Sequence, residues 1–245
     1  MRPPAPPEAR LRGGSRHPMI IYGRNAVTEA LRGQRRVRHI WAVKGDWSGA
    51  PVTQASPADI TARCGSDAHQ GVCADVEEYR YANAAELLSR ADPFLVALDE
   101  VTDPQNLGAV CRTAEVAGAT GVILPERRSA EVTPAVCKAS AGAVEHLAIA
   151  QVRNLADFLR DAKAAECWVY GADASARTPY RAPDYRGGVV LVLGAEGKGL
   201  RPRVRDGCDD LVSLPVRGRI DSLNVSAAAA VLMYEILQQR LDTST

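Results

Sequence analysis

The chain has 245 residues, 46% apolar and 24% charged, which is enough for one large or two small domains with real cores. No apolar run approaches the ~18 residues that a membrane span needs, so a membrane protein is not expected. Its six cysteines form no Cys-x2-Cys pair and only four histidines accompany them, so no metal site is expected. Scattered single cysteines read instead as reduced thiols of a cytoplasmic protein.

The net charge of +1 is unevenly spread. Residues 1–40 hold nine arginines against Glu8 and Glu29, a balance of +7 that leaves −6 for the rest. This asymmetry points to a polyanionic partner at the amino-terminal end. Residues 1–17, rich in proline, arginine and glycine, read as a disordered basic tail. An organelle transit peptide is the alternative, although Pro3, Pro4, Pro6 and Pro7 oppose an amphipathic helix.

The first ordered unit, residues 18–78, reads as a small α/β domain. It begins with an apolar strand at 19–23 and a short helix at about 25–31. An alternating strand follows at 37–43, then a helix at 57–63 capped by Ser56, and a closing strand at 71–76. Residues 79–91 read as a linker with a short helix around Leu87 and Leu88. From 92 to 245 the pattern becomes a regular alternation. Strands are expected at 94–98, 121–124, 167–172, 189–193 and 210–214, with helices at about 106–117, 134–139, 154–165 and 223–240. Continuous apolar strands alternating with helices imply a mainly parallel sheet covered on both faces.

Three loops in this second unit carry the chemistry. The first runs from Asp99 through Asp103, Pro104, Asn106 and Gly108 to Ala114 and opens a helix that holds Arg112, with Asn106 as a possible cap. Gly108 costs that helix about 1 kcal/mol relative to alanine, so close packing or ligand approach is expected there. The second, Leu193-Gly194-Ala195-Glu196-Gly197-Lys198-Gly199-Leu200, follows an apolar strand. It is not a P-loop, because Lys198 precedes Gly199 rather than Ser or Thr. The third runs from Leu214 through Arg217, Arg219, Ser222, Leu223 and Asn224 into the last helix, with Ser222 as the expected cap. Glycine-bearing and polar loops at the carboxyl ends of parallel strands converge where α/β proteins bind ligands.

These loops resemble the three motifs of the SpoU/TrmH branch of the SPOUT RNA methyltransferases. Asn106, Gly108 and Arg112 match Asn-x-Gly-x3-Arg. Leu193, Gly194, Glu196, Gly199 and Leu200 match Leu-Gly-x-Glu-x2-Gly-Leu. Pro215 and the run Ser222-Leu223-Asn224-Val225-Ser226 match the third motif, with Leu214 in place of its usual isoleucine. Upstream, Ile21-Tyr22-Gly23-Arg24-Asn25-Ala26-Val27 and His69-Gln70-Gly71-Val72 resemble the two ends of the ribosomal-protein-like RNA-binding domain of rRNA-modifying members. The segment between Lys44 and Pro57 is shorter than in those relatives.

The resemblance implies a trefoil-knotted, mainly parallel α/β domain that forms a homodimer, preceded by the small substrate-binding domain. It implies S-adenosylmethionine as cofactor, held by Leu193, Gly194, Glu196, Gly199, Leu214 and Leu223. It implies transfer of a methyl group to a ribose 2′-hydroxyl of RNA through Asn106, Arg112, Glu196, Ser222 and Asn224, with a guanosine of 23S rRNA as the favoured target. Arg24, Asn25, Arg217 and Arg219 become candidate RNA contacts. A guanidinium with a pKa above about 12 is a poor literal base, so Arg112 is expected to fix phosphate and stabilise the oxyanion. The alternatives are a tRNA ribose methyltransferase, a non-catalytic RNA-binding or assembly protein on the same fold, and a nucleotide-binding module.

Overall fold

The computed structural model describes residues 19–195, 197–220 and 222–242. The expected disorder of residues 1–17 and the role of Glu196 fall outside them. Two sheets organise the described residues. The first is built from β1 (Met19–Tyr22), helix α1 (Arg24–Arg32), β2 (Val37–Ala42), β3 (Val52–Gln54), α2 (Pro57–Cys64) and β4 (Val72–Val76). Its order is β1-β4-β2-β3, with β4 antiparallel to β1 and β2 and β3 parallel to β2. Helix α2 begins as expected. Ser56 accepts a hydrogen bond from the Asp59 amide, and the Asp59 carboxylate accepts one from the Ser56 amide, which makes a reciprocal capping box.

The chain continues through α3 (Ala84–Leu88), β5 (Phe94–Asp99), α4 (Pro104–Val116), β6 (Gly121–Pro125), α5 (Pro134–Ala139), β7 (Ile149–Val152), α6 (Leu155–Ala164), β8 (Trp168–Ala172), β9 (Thr178–Pro179), β10 (Val189–Gly194), α7 (Pro202–Asp206), β11 (Asp210–Ser213) and α8 (Val225–Leu241). The second sheet has the order β7-β6-β5-β10-β8-β11-β9, and every neighbouring pair is parallel. The five expected strands are present, as are the expected helices.

Period-two alternation splits the central strands between two cores. Phe94, Val96, Leu98, Val189, Leu191 and Leu193 face α4, α5 and α8, while Leu95, Ala97, Val190 and Val192 face α3, α6 and α7. Each of these leucine, valine and phenylalanine side chains taken from water stabilises the fold by roughly 1.5–3 kcal/mol before entropy is counted. The first core runs without a break into the small sheet, where Ile21, Val27, Ile40 and Val72 belong to the same cluster.

Residues 79–91 are tied down rather than slack. The Tyr79 hydroxyl donates to the Leu147 carbonyl at 3.0 Å, the Tyr81 hydroxyl accepts from the Val132 amide at 2.9 Å, and the Ala82 amide donates to Ile149 at 2.8 Å. Arg35 reaches across the two sheets' units to Glu145, with Nε 2.8 Å from Oε2, and also donates to the Glu77 carbonyl at 3.1 Å.

Two expected caps are corrected. Helix α4 starts at Pro104 with Asp103 as its cap, accepting from Gln105, so Asn106 lies inside the first turn. Aspartate followed by proline is the stronger start signal, because proline's missing N–H costs nothing at the first helical position. Helix α8 is capped by Asn224, whose oxygen accepts from the Ser226 and Ala227 amides, and not by Ser222.

Candidate active site at the carboxyl edge of the parallel sheet

Strands β5, β10, β8 and β11 are neighbours in that order, so the loops leaving their carboxyl ends lie side by side. This adjacency brings the three sequence loops together. Asn224, at the start of α8, donates its amide to the Asn106 side-chain oxygen at 3.0 Å across 118 residues of sequence.

The loop after β10 folds back on itself. Ala195 bridges to Gly199, the Gly199 amide donates to the Ala195 carbonyl at 2.9 Å, and Gly197 and Gly199 adopt φ of 72° and 65°. Those left-handed conformations suit glycine. A Cβ on Gly194 would stand 2.2 Å from the Gly199 carbonyl carbon, so the glycine is demanded by the returning loop itself. The loop's exit is pinned to β5. Buried Asp99 accepts from the Arg201 backbone amide at 2.8 Å and from its Nε at 2.7 Å, and the side-chain bond raises the Arg201 pKa. Sequence reading missed this clamp, since a lone aspartate at a strand end carries no distinctive pattern.

Between the second and third loops lies a cavity of about 690 Å³. Leu193, Gly194, Gly199, Leu214, Ser222 and Leu223 all line it. Leu223 is 52% exposed there, an apolar side chain facing open space. Asp173 and Ser175, after β8, also line it; the sequence reading did not select them although they too follow a strand's carboxyl end. Asp173 is already engaged. Its partial burial works against the charge, but bonds from Ser175 and the Arg205 guanidinium lower its pKa overall. A second cavity of about 440 Å³ shares Ala195, Lys198 and Val225 with the first and is lined also by Asn106 and Arg128. Lys198 therefore stands between the two, a residue that the sequence reading named only in excluding a P-loop.

The other selected residues lie apart. Arg112 is exposed on α4, six residues and about 9 Å of helix rise beyond Asn106, and lines neither cavity. Gly108 packs on α5, where a Cβ would stand 2.4 Å from that of Ala139, so helix contact accounts for it. Arg217 and Arg219 are exposed on the third loop beside the cavity-lining Val216. Arg24 and Asn25 are exposed at the start of α1, where the Arg24 amide donates to the Gln70 side chain at 3.0 Å and so joins the two upstream motifs.

The larger cavity has the size and lining of a small-molecule site, with apolar walls and exposed loop backbone. It suits a nucleoside cofactor whose ring needs apolar contact and whose edge is read by main-chain groups. A family profile described as SpoU rRNA methylase matches residues 93–234, and one described as RNA 2′-O ribose methyltransferase substrate binding matches residues 20–82. The chain belongs to the SpoU rRNA methylase family. It is 41% identical to the 23S rRNA (guanosine-2′-O-)-methyltransferase RlmB of Ralstonia nicotianae, over 95% of this chain and 92% of that protein. Identity to RlmB of Pseudomonas syringae is 40%, over 90% and 95%. Among solved structures, the SpoU methyltransferase AviRb of Streptomyces viridochromogenes, in complex with AdoMet, superposes with a TM-score of 0.78 at 25% identity, over 91% of each chain. SpoU membership makes this a SPOUT-fold, S-adenosylmethionine-dependent RNA 2′-O-methyltransferase.

Proposed function

We propose that the protein methylates the ribose 2′-hydroxyl of a guanosine in 23S rRNA, in the cytoplasm, acting as a homodimer. The observation that carries the site assignment is the Asn106–Asn224 hydrogen bond, which joins the first and third loops beside the larger cavity. The choice of rRNA rests on the RlmB relatives, which match over nearly the whole chain, and on the substrate-binding profile at 20–82. On this reading residues 18–78 present the RNA, with Arg24 and Asn25 among its contacts, residues 79–91 connect, and residues 92–245 carry the chemistry.

Bound S-adenosylmethionine supplies a sulfonium methyl already activated for transfer. The protein's remaining task is alignment, which accounts for roughly 7–11 kcal/mol of barrier in well-oriented reactions. Leu193, Gly194, Gly199, Leu214 and Leu223 hold the cofactor against the loop backbone. Asn106 and Asn224 orient the ribose, Ser222 contributes a hydroxyl at the cavity wall, and Arg217 and Arg219 hold RNA phosphates. Glu196 either holds Arg112 in place or accepts the hydroxyl proton. Arg112 fixes the adjacent phosphate and stabilises the developing oxyanion.

The exposure of Arg112 fits a site completed across a dimer. Val116, one turn further along the same face of α4, is 60% exposed, and α8, packed against α4, exposes Val231 and Tyr234. Burying that apolar surface between protomers would carry Arg112 toward the partner's cavity. The experiment is a map of 2′-O-methyl positions in rRNA and tRNA from cells with and without the gene. One guanosine of 23S rRNA should lose its methyl group. A loss confined to tRNA, or none at all, refutes the assignment.

A further inference from the structure

A large cavity lies away from the cofactor site, on the face covered by α6 and α7. It is an open groove of about 1190 Å³ between the end of β6, the start of α6 and the start of α7. Four exposed arginines line it: Arg128 is paired with Glu100, while Arg127 after β6, Arg153 after β7 and Arg203 in α7 come from three different elements. Among the described residues none of the three is paired with a carboxylate, whereas the groove's two acidic residues, Asp157 and Asp161, are both engaged by Arg160. Among the described residues the one aromatic side chain on its wall, Phe158, is buried, so they offer no ring for a base to stack on. Arg128 lines this groove and also the smaller cavity that holds Asn106 and Lys198.

We infer that this groove is a track for the substrate RNA's backbone, in which Arg127, Arg153 and Arg203 bind phosphates flanking the nucleotide to be methylated. Three unneutralised guanidinia in one concave surface suit a polyanion, because Arg presents a planar fork of donors to phosphate oxygens. The lack of an exposed ring assigns the groove to backbone positioning rather than base readout. Its continuity through Arg128 with the Asn106 cavity gives the strand a direct path to the reacting ribose. The inference rests on the RNA methyltransferase reading and deepens it.

The test compares wild type with the triple variants R127A/R153A/R203A and R127K/R153K/R203K. Binding of an unmodified 23S rRNA transcript is measured between about 50 and 200 mM salt, with AdoMet affinity followed by calorimetry. With about 0.7–0.9 counterions released per phosphate contact, the alanine variant should flatten the slope of log K against log salt by about two. Its methylation defect should fall on KM for RNA, and AdoMet affinity should stay within twofold. The lysine variant, which keeps the charges, should recover most of the slope. A wild-type slope in the alanine variant overturns the groove, as does a lysine variant no better than alanine. Failure of the wild type to methylate RNA would instead overturn the parent reading, and the salt slopes would still decide the groove.

Discussion

Asn224 has two duties with its one amide group: its oxygen caps α8 through Ser226 and Ala227, and its nitrogen donates to Asn106 at 3.0 Å. Helix stability and site geometry thus share one side chain. Serine caps nearly as well as asparagine but is too short to bridge to Asn106. The variant N224S should therefore unfold within about 1 kcal/mol of wild type by urea titration, while its methylation rate falls at least about tenfold. N224A should lose the cap as well, at a further cost of about 1 kcal/mol.

At Gly194 the smallest possible side chain is already too large. A Cβ would collide with the Gly199 carbonyl at 2.2–2.3 Å and with the Leu200 amide at 2.6 Å. Neither is a flexible side chain, so the Ala195–Gly199 turn must open. G194A should weaken AdoMet binding at least tenfold in calorimetry, with a smaller effect on thermal stability, because the disturbed segment is a surface loop. Unchanged affinity would mean that the turn does not shape the cofactor cavity.

The Arg35–Glu145 ion pair joins the small sheet's unit to the turn before β7, and both side chains are nearly inaccessible. Removing one partner strands a buried charge, at a cost of about 3–5 kcal/mol, whereas replacing both by apolar groups of similar volume is close to neutral. E145A should accordingly lower the urea midpoint sharply, and R35M/E145L should recover most of the loss. If E145A unfolds like wild type, the pair does not hold the two units together.

How much of the fold was legible in the chain depended on signal length. The central strands of the large sheet were readable because an unbroken apolar run bounded by turn residues suits a strand buried on both faces. The edge strands β3 and β9, three and two residues long, are too short for any periodicity to register. β7 follows closely on the tight turn at Ala143–Glu145, which hides it. The convergence of the loops followed from strand ends, and the Asn106–Asn224 bond joins the first loop to the third. Gly108 announced a close approach, but only coordinates show that its neighbour is α5. Arg127 and Arg153 gave no signal, since a single charge in a loop looks the same whether it faces solvent or a groove.

Five thiols are held protonated by burial. Burial pushes Cys73 and Cys137 up to about 11 and Cys111 and Cys208 up to about 12, and raises Cys167 as well. An unfolded thiol titrates near 8.5. Above that value the unfolded chain releases protons that the folded chain keeps, so stability falls as pH rises. The contribution is complete below about pH 8.5 and disappears toward the folded pKa values. The melting temperature should drop steadily between about pH 8.5 and 11. Iodoacetamide at about pH 8 should leave these five cysteines unlabelled until denaturant is added, as intact mass will show.

The proposal that Arg112 acts across a dimer has a decisive genetic form. Suppose that each site combines Asn224 of one protomer with Arg112 of the other. R112A and N224S homodimers then carry one defect in every site and are both nearly inactive. In the mixed dimer both defects fall in the same site, and the other site is intact. Co-refolding the two variants in equal amounts makes half the dimers mixed, each with one working site of two. Activity should then return to about a quarter of wild type. If Arg112 serves its own protomer's cavity, every site in the mixed dimer still carries one defect and mixing restores nothing. Because the two arrangements differ only in which chain donates the guanidinium, the recovered rate distinguishes them without a structure of the complex.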